Sequence, residues 1–438
     1  MNYILRELDE KVLQTFKISK DKGLILAGIV GCGKTTLILN LLKSLKDQFE
    51  IFQYTGDDAR FRSAIHEDTT YIYNDIRSKT NKRALVFVDE VQKSENIFDA
   101  LKYAFDQKNC SFIVSGSNPD YLNTIARKRL QRRADFITLQ PFSLPEIFSN
   151  IGYITLKDID YFNGIISDPP KNLKNLDISI PLALGESFNK YKQEALKSFF
   201  TYGGLPLSHT TSSNKSKIIE IRNTIERGFE SSSSNNDDLN DIVRIELAKL
   251  NAKEFTYSNI FKKTGLRRRD QINNIIDELI NHGYLIRKKP FVENGTRKSY
   301  LSTFSYIDSG IVSYLTGNTS LGTTIGSKIE AYVQWRLEHI LKESIILKSQ
   351  IYYYKPYSID INNKVKFKEG EIDFILTIGD RIIPIEVKSS DNINNIKVPY
   401  LEKFIIKNKL PFGIVLYEGL PFWNKNKERI IYWPYWLI

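Results

Sequence analysis

Cysteine and histidine are scarce in this sequence: its 438 residues include two cysteines, Cys32 and Cys110, and four histidines. Two cysteines cannot form the disulfide framework of a small secreted protein, and this content does not suggest a Cys/His zinc site. The sequence also lacks any apolar run near the ~20 residues that a transmembrane helix needs, and it begins with charged rather than signal-like residues. We therefore expect a cytoplasmic protein without membrane contact.

The length and composition indicate an ordinary globular protein with several domains. The chain is roughly three times as long as a typical ~150-residue domain, so two to four domains are expected. Its 42% hydrophobic and 26% charged residues argue against a disordered or fibrous chain. The net charge of +11 suggests a polyanionic partner, although basic surfaces also serve solubility.

The order of apolar runs predicts four domains. Short runs at residues 24–27, 51–54, 84–88, 112–114 and 136–139 alternate with helical patterns, which predicts a parallel α/β sheet. The polar segment SSSSNNDD at 231–238 predicts a linker. We expect a P-loop core at 1–149, a helical lid or connector at 150–236, a winged helix-turn-helix at 237–316 and a C-terminal α/β domain at 317–438.

A phosphate-binding loop follows the first predicted strand. The segment GIVGCGKT at 28–35 has the spacing G-x-x-x-x-G-K-[ST] between a strand and a helix, which is the context of a P-loop. Backbone N–H groups of such a loop surround phosphate, the lysine reaches the β and γ oxygens, and the threonine hydroxyl ligates Mg²⁺. The predicted nucleotide ligands are Gly28, Gly31, Cys32, Gly33, Lys34 and Thr35, and Thr36 follows on the helix.

Two acids end the third predicted strand. Asp89 and Glu90 follow the apolar run 85–88, as in a Walker B element. Asp89 is predicted to hold Mg²⁺ through water, together with Thr35, and Glu90 to orient the water that attacks the γ-phosphate. The cofactors would be ATP and Mg²⁺, and the pair predicts hydrolysis as well as binding.

Further polar residues follow the strand at 112–114. Ser117 could sense the γ-phosphate, although serine after a strand is as often a turn former. Four arginines precede the next strand, and one of them could be an arginine finger or part of a solvated basic face. They are Arg127, Arg129, Arg132 and Arg133.

A basic segment opens the third predicted helix of the winged helix-turn-helix. Arg267, Arg268 and Arg269 stand at the exposed start of this helix, where a recognition helix approaches DNA. Asn294-Gly295 predicts a hairpin turn, and the basic residues of that hairpin would contact phosphate. They are Arg287, Lys288, Lys289, Arg297 and Lys298. Winged helices also join proteins, so a protein partner stays open.

The C-terminal strands carry two carboxylates and a lysine. Glu386 and Lys388 share one face of a predicted strand because side chains two apart point the same way. If Asp373 lies opposite, the carboxylates would hold Mg²⁺ and the lysine would orient a water attacking a phosphodiester. The alternative is a cross-strand ladder of ion pairs without catalysis.

These motifs together resemble the prokaryotic AAA+ ATPase family (AAA_14-like) with a C-terminal DUF4143 region, over nearly the full length. The resemblance rests on the P-loop, DEVQK at 89–93, SGS at 115–117, FITLQPFSLPEI at 136–147, YGGLP at 202–206 and the terminal EID and EVK segments. The loop GIVGCGKTT lacks the Pro and Arg common in that family. The resemblance implies Arg133 as the arginine finger, acting in trans within a homo-oligomer.

The C-terminal segment is also similar to the PD-(D/E)xK nuclease fold, which implies a restriction-endonuclease-like domain. Glu330 then corresponds to the helical acid of that fold and would add a metal ligand or an anchor. Our first hypothesis is an ATP-hydrolysing, DNA-binding protein with a metal-dependent deoxyribonuclease domain. The alternative is a nucleotide-dependent regulatory switch that binds a protein partner through an inactive nuclease-like domain.

Overall fold

A computed structural model describes most of the chain in two compact units. The described residues are 3–18, 22–108, 110–152, 154–155, 159–167, 186–211, 213–230, 237–265, 268–292, 301–319, 322–343, 349–359, 365–367, 370–423 and 429–438. The first unit comprises residues 1–142, 205–237 and 270–284, and the second comprises 143–204, 238–269 and 285–438.

The secondary structure alternates strands and helices in the first third and becomes mixed afterwards. The strands are β1 (Gly23–Ala27), β2 (Glu50–Thr55), β3 (Ala84–Asp89), β4 (Cys110–Gly116), β5 (Ala134–Thr138), β6 (Leu285–Pro290), β7 (Thr303–Tyr306), β8 (Ser349–Tyr354), β9 (Tyr357–Ile359), β10 (Val365–Phe367), β11 (Ile372–Ile378), β12 (Arg381–Val387), β13 (Gly413–Tyr417), β14 (Phe422–Trp423) and β15 (Ile430–Pro434). The helices are α1 (Glu7–Ile18), α2 (Lys34–Leu45), α3 (Ala59–Glu67), α4 (Tyr71–Lys79), α5 (Asn96–Asp106), α6 (Pro119–Arg129), α7 (Leu144–Asn150), α8 (Ile159–Ser167), α9 (Glu186–Tyr202), α10 (Pro206–Thr210), α11 (Asn214–Glu230), α12 (Asp237–Lys249), α13 (Ser258–Thr264), α14 (Asp270–Asn281), α15 (Ser309–Thr316), α16 (Ile325–Glu343) and α17 (Pro399–Lys407).

The first unit is built on a five-stranded parallel sheet in the order β2-β3-β4-β1-β5. The predicted strands and their parallel arrangement are confirmed. β1 and β4 are buried along their whole length, and β3 is buried except at Asp89, which explains their near-continuous apolar sequences. Because all five strands are parallel, the ends of β1, β3 and β4 meet at one edge of the sheet.

The second unit contains an eight-stranded mixed sheet in the order β14-β15-β13-β12-β11-β8-β6-β7, and a separate pair β9-β10. The predicted C-terminal strands are confirmed. The predicted hairpin is also present, since β6 and β7 pair antiparallel, but β6 additionally pairs parallel with β8. The hairpin therefore belongs to the same sheet as the strands that carry Asp373 and Glu386.

The three helices predicted before the hairpin are confirmed as α12, α13 and α14. α14 belongs to the first compact unit, whereas β6 and β7 belong to the second. The winged helix and the four predicted domain boundaries stay predictions. The predicted turn at Asn294-Gly295 and most of the predicted linker lie outside the described residues, and none of the described helices is long and apolar enough to cross a bilayer.

Candidate functional site

The loop between β1 and α2 has the backbone of a phosphate-binding loop. Gly31 and Gly33 have φ values of 79° and 96°, in the left-handed region that favours glycine. A Cβ atom on Gly28 would lie 2.3 Å from the main-chain oxygen of Leu139, so only glycine fits there. The sequence spacing therefore corresponds to a real steric requirement at these three positions.

The lysine of this loop is folded back over it. Lys34 is the first residue of α2 and is 7% exposed. Its Nζ donates hydrogen bonds to the main-chain oxygens of Gly28 at 2.9 Å and Ile29 at 3.0 Å. These bonds hold the ammonium at the mouth of the loop, next to the N–H groups that open α2. Thr36 lies exposed on the same helix, beside Thr35.

Thr35 and Asp89 meet across the edge of the sheet. The Thr35 hydroxyl donates to Asp89 Oδ2 at 3.0 Å, and the Glu90 N–H donates to Asp89 Oδ1 at 3.0 Å. The Ser115 hydroxyl donates to Asp89 Oδ1 as well. A hydroxyl and a carboxylate in contact are hard oxygen ligands, and they fit Mg²⁺ bound together with nucleotide phosphates. The predicted pairing of Thr35 with Asp89 is thus present in the geometry.

Glu90 adopts a backbone conformation that is uncommon for its residue type. Its φ is 50°, in the left-handed region, which for a residue other than glycine is found mainly at functional sites and turns. Burial raises the pKa of its carboxyl, the Lys34 ammonium lowers it, and Asp89 raises it again. The side chain is therefore a carboxylate of increased basicity beside the loop, as a water-orienting base requires.

Gln92 connects two of the predicted residues, Glu90 and Ser117, although no pattern in the sequence marks it as functional. Its Nε2 donates to Glu90 Oε2 and to the Ser117 hydroxyl, the latter at 3.0 Å. A Cβ on Gly116 would lie 2.1 Å from Gln92 Oε1, so the end of β4 also approaches this side chain closely. Ser117 is thereby tied to Glu90 through one amide. The DEVQK segment contained Gln92, but only the fold shows its contacts.

Arg6 is a second residue that sequence reasoning missed. It is 6% exposed, and its Nη1 donates to the main-chain oxygen of Cys32 at 3.2 Å. Its Nη2 donates to the main-chain oxygen of Gln140 at 2.6 Å, and the guanidinium lies 4.4 Å from the ring centroid of Phe142. Arg6, just before α1, thus holds the P-loop backbone in place by a hydrogen bond to a main-chain oxygen of the loop. No motif marks it, because its partners are main-chain atoms distant in sequence.

The end of α14 packs beside the same loop. The Asn118 side chain caps α6 by accepting from the Tyr121 N–H at 3.1 Å, which leaves its amide nitrogen 3.3 Å from His282 Nε2. Burial lowers the pKa of His282, so the ring is neutral at pH 7 and Nε2 is the acceptor. A Cβ on Gly283 would lie 3.4 Å from Pro119 Cγ and 3.6 Å from Ile29 Cγ2.

Arg133 lies at the opposite end of the sheet. It ends a 3₁₀ turn just before β5, whose first residue Ala134 pairs with Gly23 at the start of β1. The P-loop begins after the other end of β1, about 16 Å away at ~3.3 Å per residue. Arg133 instead binds both carboxylate oxygens of Asp106, at 2.7 and 3.0 Å. It therefore cannot reach the nucleotide site of its own chain.

The C-terminal carboxylates lie together in the second unit, and Asp373 is opposite Glu386, the position that the sequence had left open. Asp373 Oδ2 accepts from the Val387 N–H at 2.7 Å, which brings Asp373 beside Glu386 on the neighbouring strand β12. Lys388 Nζ donates to Glu386 Oε1 at 2.6 Å. Burial raises the pKa of Asp373 well above its usual range, and the charges of Glu386 and Glu330 raise it further. Burial also raises the pKa of Glu386, whereas Lys388 lowers it.

Lys288 is also part of this carboxylate cluster. The prediction that it contacts phosphate from the hairpin surface is wrong, because its side chain is only 1% exposed. Its Nζ donates to Glu330 Oε1 at 2.8 Å and to the main-chain oxygen of Asp373 at 2.9 Å. Arg287 and Lys289, its neighbours on β6, are exposed. The hairpin residues Arg297 and Lys298 lie outside the described residues.

The donor set of this cluster does not fit a divalent metal as it stands. Within the described ranges, no group of three or more His, Cys, Asp or Glu side chains is placed to hold a metal ion. Glu330 contacts Lys288, and Glu386 contacts Lys388, so two of the predicted metal ligands are bound to lysines. The predicted magnesium ligands are therefore neighbours, but they are arranged around ammonium groups.

The basic segment before α14 is exposed where it is described. Arg268 and Arg269 are exposed, whereas Arg267 lies outside the described residues. The guanidinium carbon of Arg269 lies 4.9 Å from the ring centroid of Tyr257. This stacking leaves the edge of the guanidinium available to a partner, but it identifies none.

Two separate parts of the chain match known protein families. Residues 20–148 match the family model of an AAA domain (AAA_14), and residues 326–437 match that of a domain of unknown function, DUF4143. Residues 20–148 thus form an AAA-type NTPase-like domain. The DUF4143 match spans β11, β12 and α16, but it assigns no activity. No protein of curated function matches the chain.

Several solved structures are distantly similar to the chain. The Pif1 helicase of Candida albicans is 16% identical, with a TM-score of 0.25, over 37% of this chain and 44% of the helicase. The Hsp104-ADP complex of S. cerevisiae is 14% identical, with a TM-score of 0.32, over 64% of this chain and 38% of Hsp104. The Holliday junction branch migration motor RuvB of Thermotoga maritima is 13% identical, with a TM-score of 0.31, over 68% of this chain and 92% of RuvB. TM-scores this low support no conclusion about activity.

Proposed function

We propose that this chain, whose residues 20–148 form an AAA domain, binds and hydrolyses ATP at the edge where β1, β3 and β4 end. One observation carries the proposal: the loop lysine, the Thr35 and Asp89 pair and the Glu90 carboxylate converge there. A glycine-rich turn without a ligand would not need a buried lysine and a strained acid at the same place.

Each residue has a separate task in this proposal. Lys34 binds the β and γ phosphate oxygens, and the N–H groups of the loop surround the phosphates. Thr35 and Asp89 hold Mg²⁺, which neutralises phosphate charge when it is bound. Glu90 orients the attacking water, and Gln92 fixes Glu90 relative to Ser117, which would sense the γ-phosphate.

The arginine finger is proposed to act between subunits. Arg133 is ion-paired with Asp106 at the end of the sheet remote from its own P-loop, so a finger role would require the nucleotide of a neighbouring copy. A homo-oligomer is therefore part of this proposal. In such an assembly, the Asp106 carboxylate would hold the guanidinium in position until the neighbour binds.

Two variants test hydrolysis. Lys34→Ala removes the ammonium that contacts phosphate, so nucleotide binding should be lost. Glu90→Gln keeps the shape but neutralises the water-orienting carboxylate, so ATP should bind while turnover falls by roughly 10²–10⁴-fold. Fluorescent nucleotide binding and phosphate release separate the two effects, with the exposed Glu67→Gln as matched control. Equal affinity and turnover in all four proteins would remove the ATPase proposal.

DNA is the proposed partner of the basic segment. The support is the exposed Arg268 and Arg269 before α14, together with exposed Arg287 and Lys289 on β6. Phosphate contacts of this kind give salt-dependent affinity without base recognition. The winged helix-turn-helix, at 237–316, and the lid or connector, at 150–236, belong to this proposal.

A deoxyribonuclease is the second candidate function, for the C-terminal domain at 317–438. Its support is the convergence of Asp373, Glu386 and Lys388 on adjacent strands. The contact of Glu330 with Lys288 instead favours the alternative, a nucleotide-dependent switch whose nuclease-like domain binds a protein partner. Cleavage of plasmid DNA with Mn²⁺, compared with Asp373→Ala, distinguishes the two. The outcome depends on whether a divalent ion can bind while Lys288 contacts Glu330.

A further inference from the structure

Lys288 is held in place by the sheet on both sides. It lies on β6 between β7 and β8, and it pairs with Thr303 of β7 while its neighbour Lys289 pairs with Tyr352 of β8. Strand alternation turns Lys288 inward and leaves Arg287 and Lys289 exposed. A charged side chain in this position is costly unless it is paired and hydrogen-bonded. The ammonium therefore has a defined position set by two strand neighbours.

A bulge in β11 supplies one of its acceptors. The pairing of β11 with β8 shifts register between Ile372 and Ile375, and its pairing with β12 begins at Phe374. The main-chain oxygen of Asp373 lies in this irregular segment, and it accepts from Lys288 Nζ at 2.9 Å. The ammonium also lies 4.0 Å from the ring centroid of Phe374. Bulges commonly re-aim groups near functional sites, and here the re-aimed carbonyl binds the lysine.

The cluster already contains two cations without a metal. Lys288 and Lys388 supply two positive charges to the acids Glu330, Asp373 and Glu386, and the exposed Glu371 adds a further negative charge nearby. Burial and the charges of Glu386 and Glu330 raise the pKa of Asp373, so this carboxyl takes up a proton more readily than an exposed aspartate does. An ammonium donates up to three hydrogen bonds at about 2.8 Å, whereas Mg²⁺ requires oxygens near 2.1 Å in octahedral geometry. The contacts of Lys288 Nζ, at 2.8 and 2.9 Å, have the distances of ammonium hydrogen bonds.

We propose that Lys288 is the resident cation of the carboxylate cluster and excludes a divalent ion while β6 keeps its register. This inference rests on the proposed nuclease-like domain and concerns the regulation of that site. A divalent ion can bind between Glu330 and Asp373 only after the Lys288 ammonium has left.

Mn²⁺ binding to the full-length protein without nucleotide tests the proposal, because electron paramagnetic resonance counts free and bound ions directly. Four proteins are compared: the wild type, Lys288→Met, Lys288→Met with Asp373→Asn, and Lys289→Met at the exposed neighbouring position. Any ion held by Thr35 and Asp89 is common to all four proteins, so it does not affect the difference in bound Mn²⁺ between them. Lys288→Met should bind one Mn²⁺ more than the wild type, with an affinity at this site at least about tenfold higher, because the ammonium no longer repels a divalent ion at the same carboxylates. The Asp373→Asn change should abolish this gain, and Lys289→Met should behave as the wild type.

Two results would overturn the proposal. One is a wild-type Mn²⁺ site that disappears in the single variant Asp373→Asn, because the cluster would then hold metal with Lys288 in place. The other is a folded Lys288→Met protein without additional Mn²⁺. If circular dichroism shows that Lys288→Met is unfolded, Lys288→Gln takes its place, because its amide can still donate a hydrogen bond to Glu330 but carries no positive charge.

The nuclease proposal is tested separately in the same samples. Cleavage of supercoiled plasmid by Lys288→Met with Mn²⁺, but not by the wild type, would support both proposals. Bound Mn²⁺ without cleavage would support the exclusion by Lys288 and refute the nuclease. Cleavage by the wild type that is lost in Asp373→Ala would support the nuclease and refute the exclusion.

Discussion

The P-loop site and the C-terminal carboxylate cluster both combine acids with lysines, but they are constructed differently. At the P-loop, Lys34 contacts main-chain oxygens of its own loop, and Asp89 binds hydroxyls and an N–H group. In the cluster, Lys288 and Lys388 each contact an acid directly. The comparison teaches that the first site keeps its charges available for a ligand, whereas the second neutralises them internally.

The largest effect is expected from removing the internal cation. Lys288→Ala removes a buried ammonium and leaves the half-buried Glu330 without its partner, so the second unit should lose up to roughly 3 kcal/mol of stability. The neighbouring exposed Lys289→Ala should change stability by less than about 0.5 kcal/mol. Urea unfolding monitored by tryptophan fluorescence measures both. Similar small losses in the two variants would mean that the cluster does not depend on Lys288.

A smaller effect is expected from loosening the P-loop site. Gln92→Ala removes the amide that holds Glu90 beside Ser117, and the misplaced carboxylate should lower kcat for ATP by up to roughly 10²-fold. KM should change little, because Gln92 has no phosphate contact in the proposal. The exposed Gln107→Ala serves as control in the same phosphate-release assay. An increase in KM with unchanged kcat would assign Gln92 to nucleotide binding instead.

The cluster should also give the second unit a characteristic pH dependence. The pKa of Asp373 is raised in the folded state, first by burial, so the folded protein binds a proton that the unfolded chain releases near pH 4. The associated stability is fully present below the unfolded pKa and is lost as pH rises through the folded pKa, by at most about 1.4 kcal/mol per pH unit. Asp373→Asn should flatten urea stability above pH 4. A slope that persists in this variant would assign the titration to another group.

The smallest effect is expected at the basic segment, which neither site contains. Replacing Arg268 and Arg269 by alanine should weaken duplex DNA binding and reduce the slope of log affinity against log salt by about 2, roughly one per lost phosphate contact. Fluorescence anisotropy at several salt concentrations measures the slope, with exposed Lys46→Ala as control. An unchanged slope would favour a protein partner and the switch hypothesis.

The nucleotide site could be predicted closely because its determinants are local. Gly28, Gly31 and Gly33 are required by contacts and φ values within one loop, and Asp89 and Glu90 follow directly from where a buried strand ends. The order of strands and helices then implied that these segments share one edge of a parallel sheet. Asp373, Glu386 and Lys388 were predictable as neighbours for a similar reason, since they lie on consecutive strands with period-two alternation.

The sequence by itself thus determined the P-loop, the strand-end acids and the facing carboxylates, because short-range geometry specifies each of them. Only the tertiary structure decided that Lys288 is buried, that Arg6 supports the loop and that Arg133 lies remote from its own P-loop. Alternation predicts which side of β6 a lysine takes, but not which elements cover that side. The partners of Lys288 are 42 and 85 positions further along the chain, and only folding brings an ammonium to them.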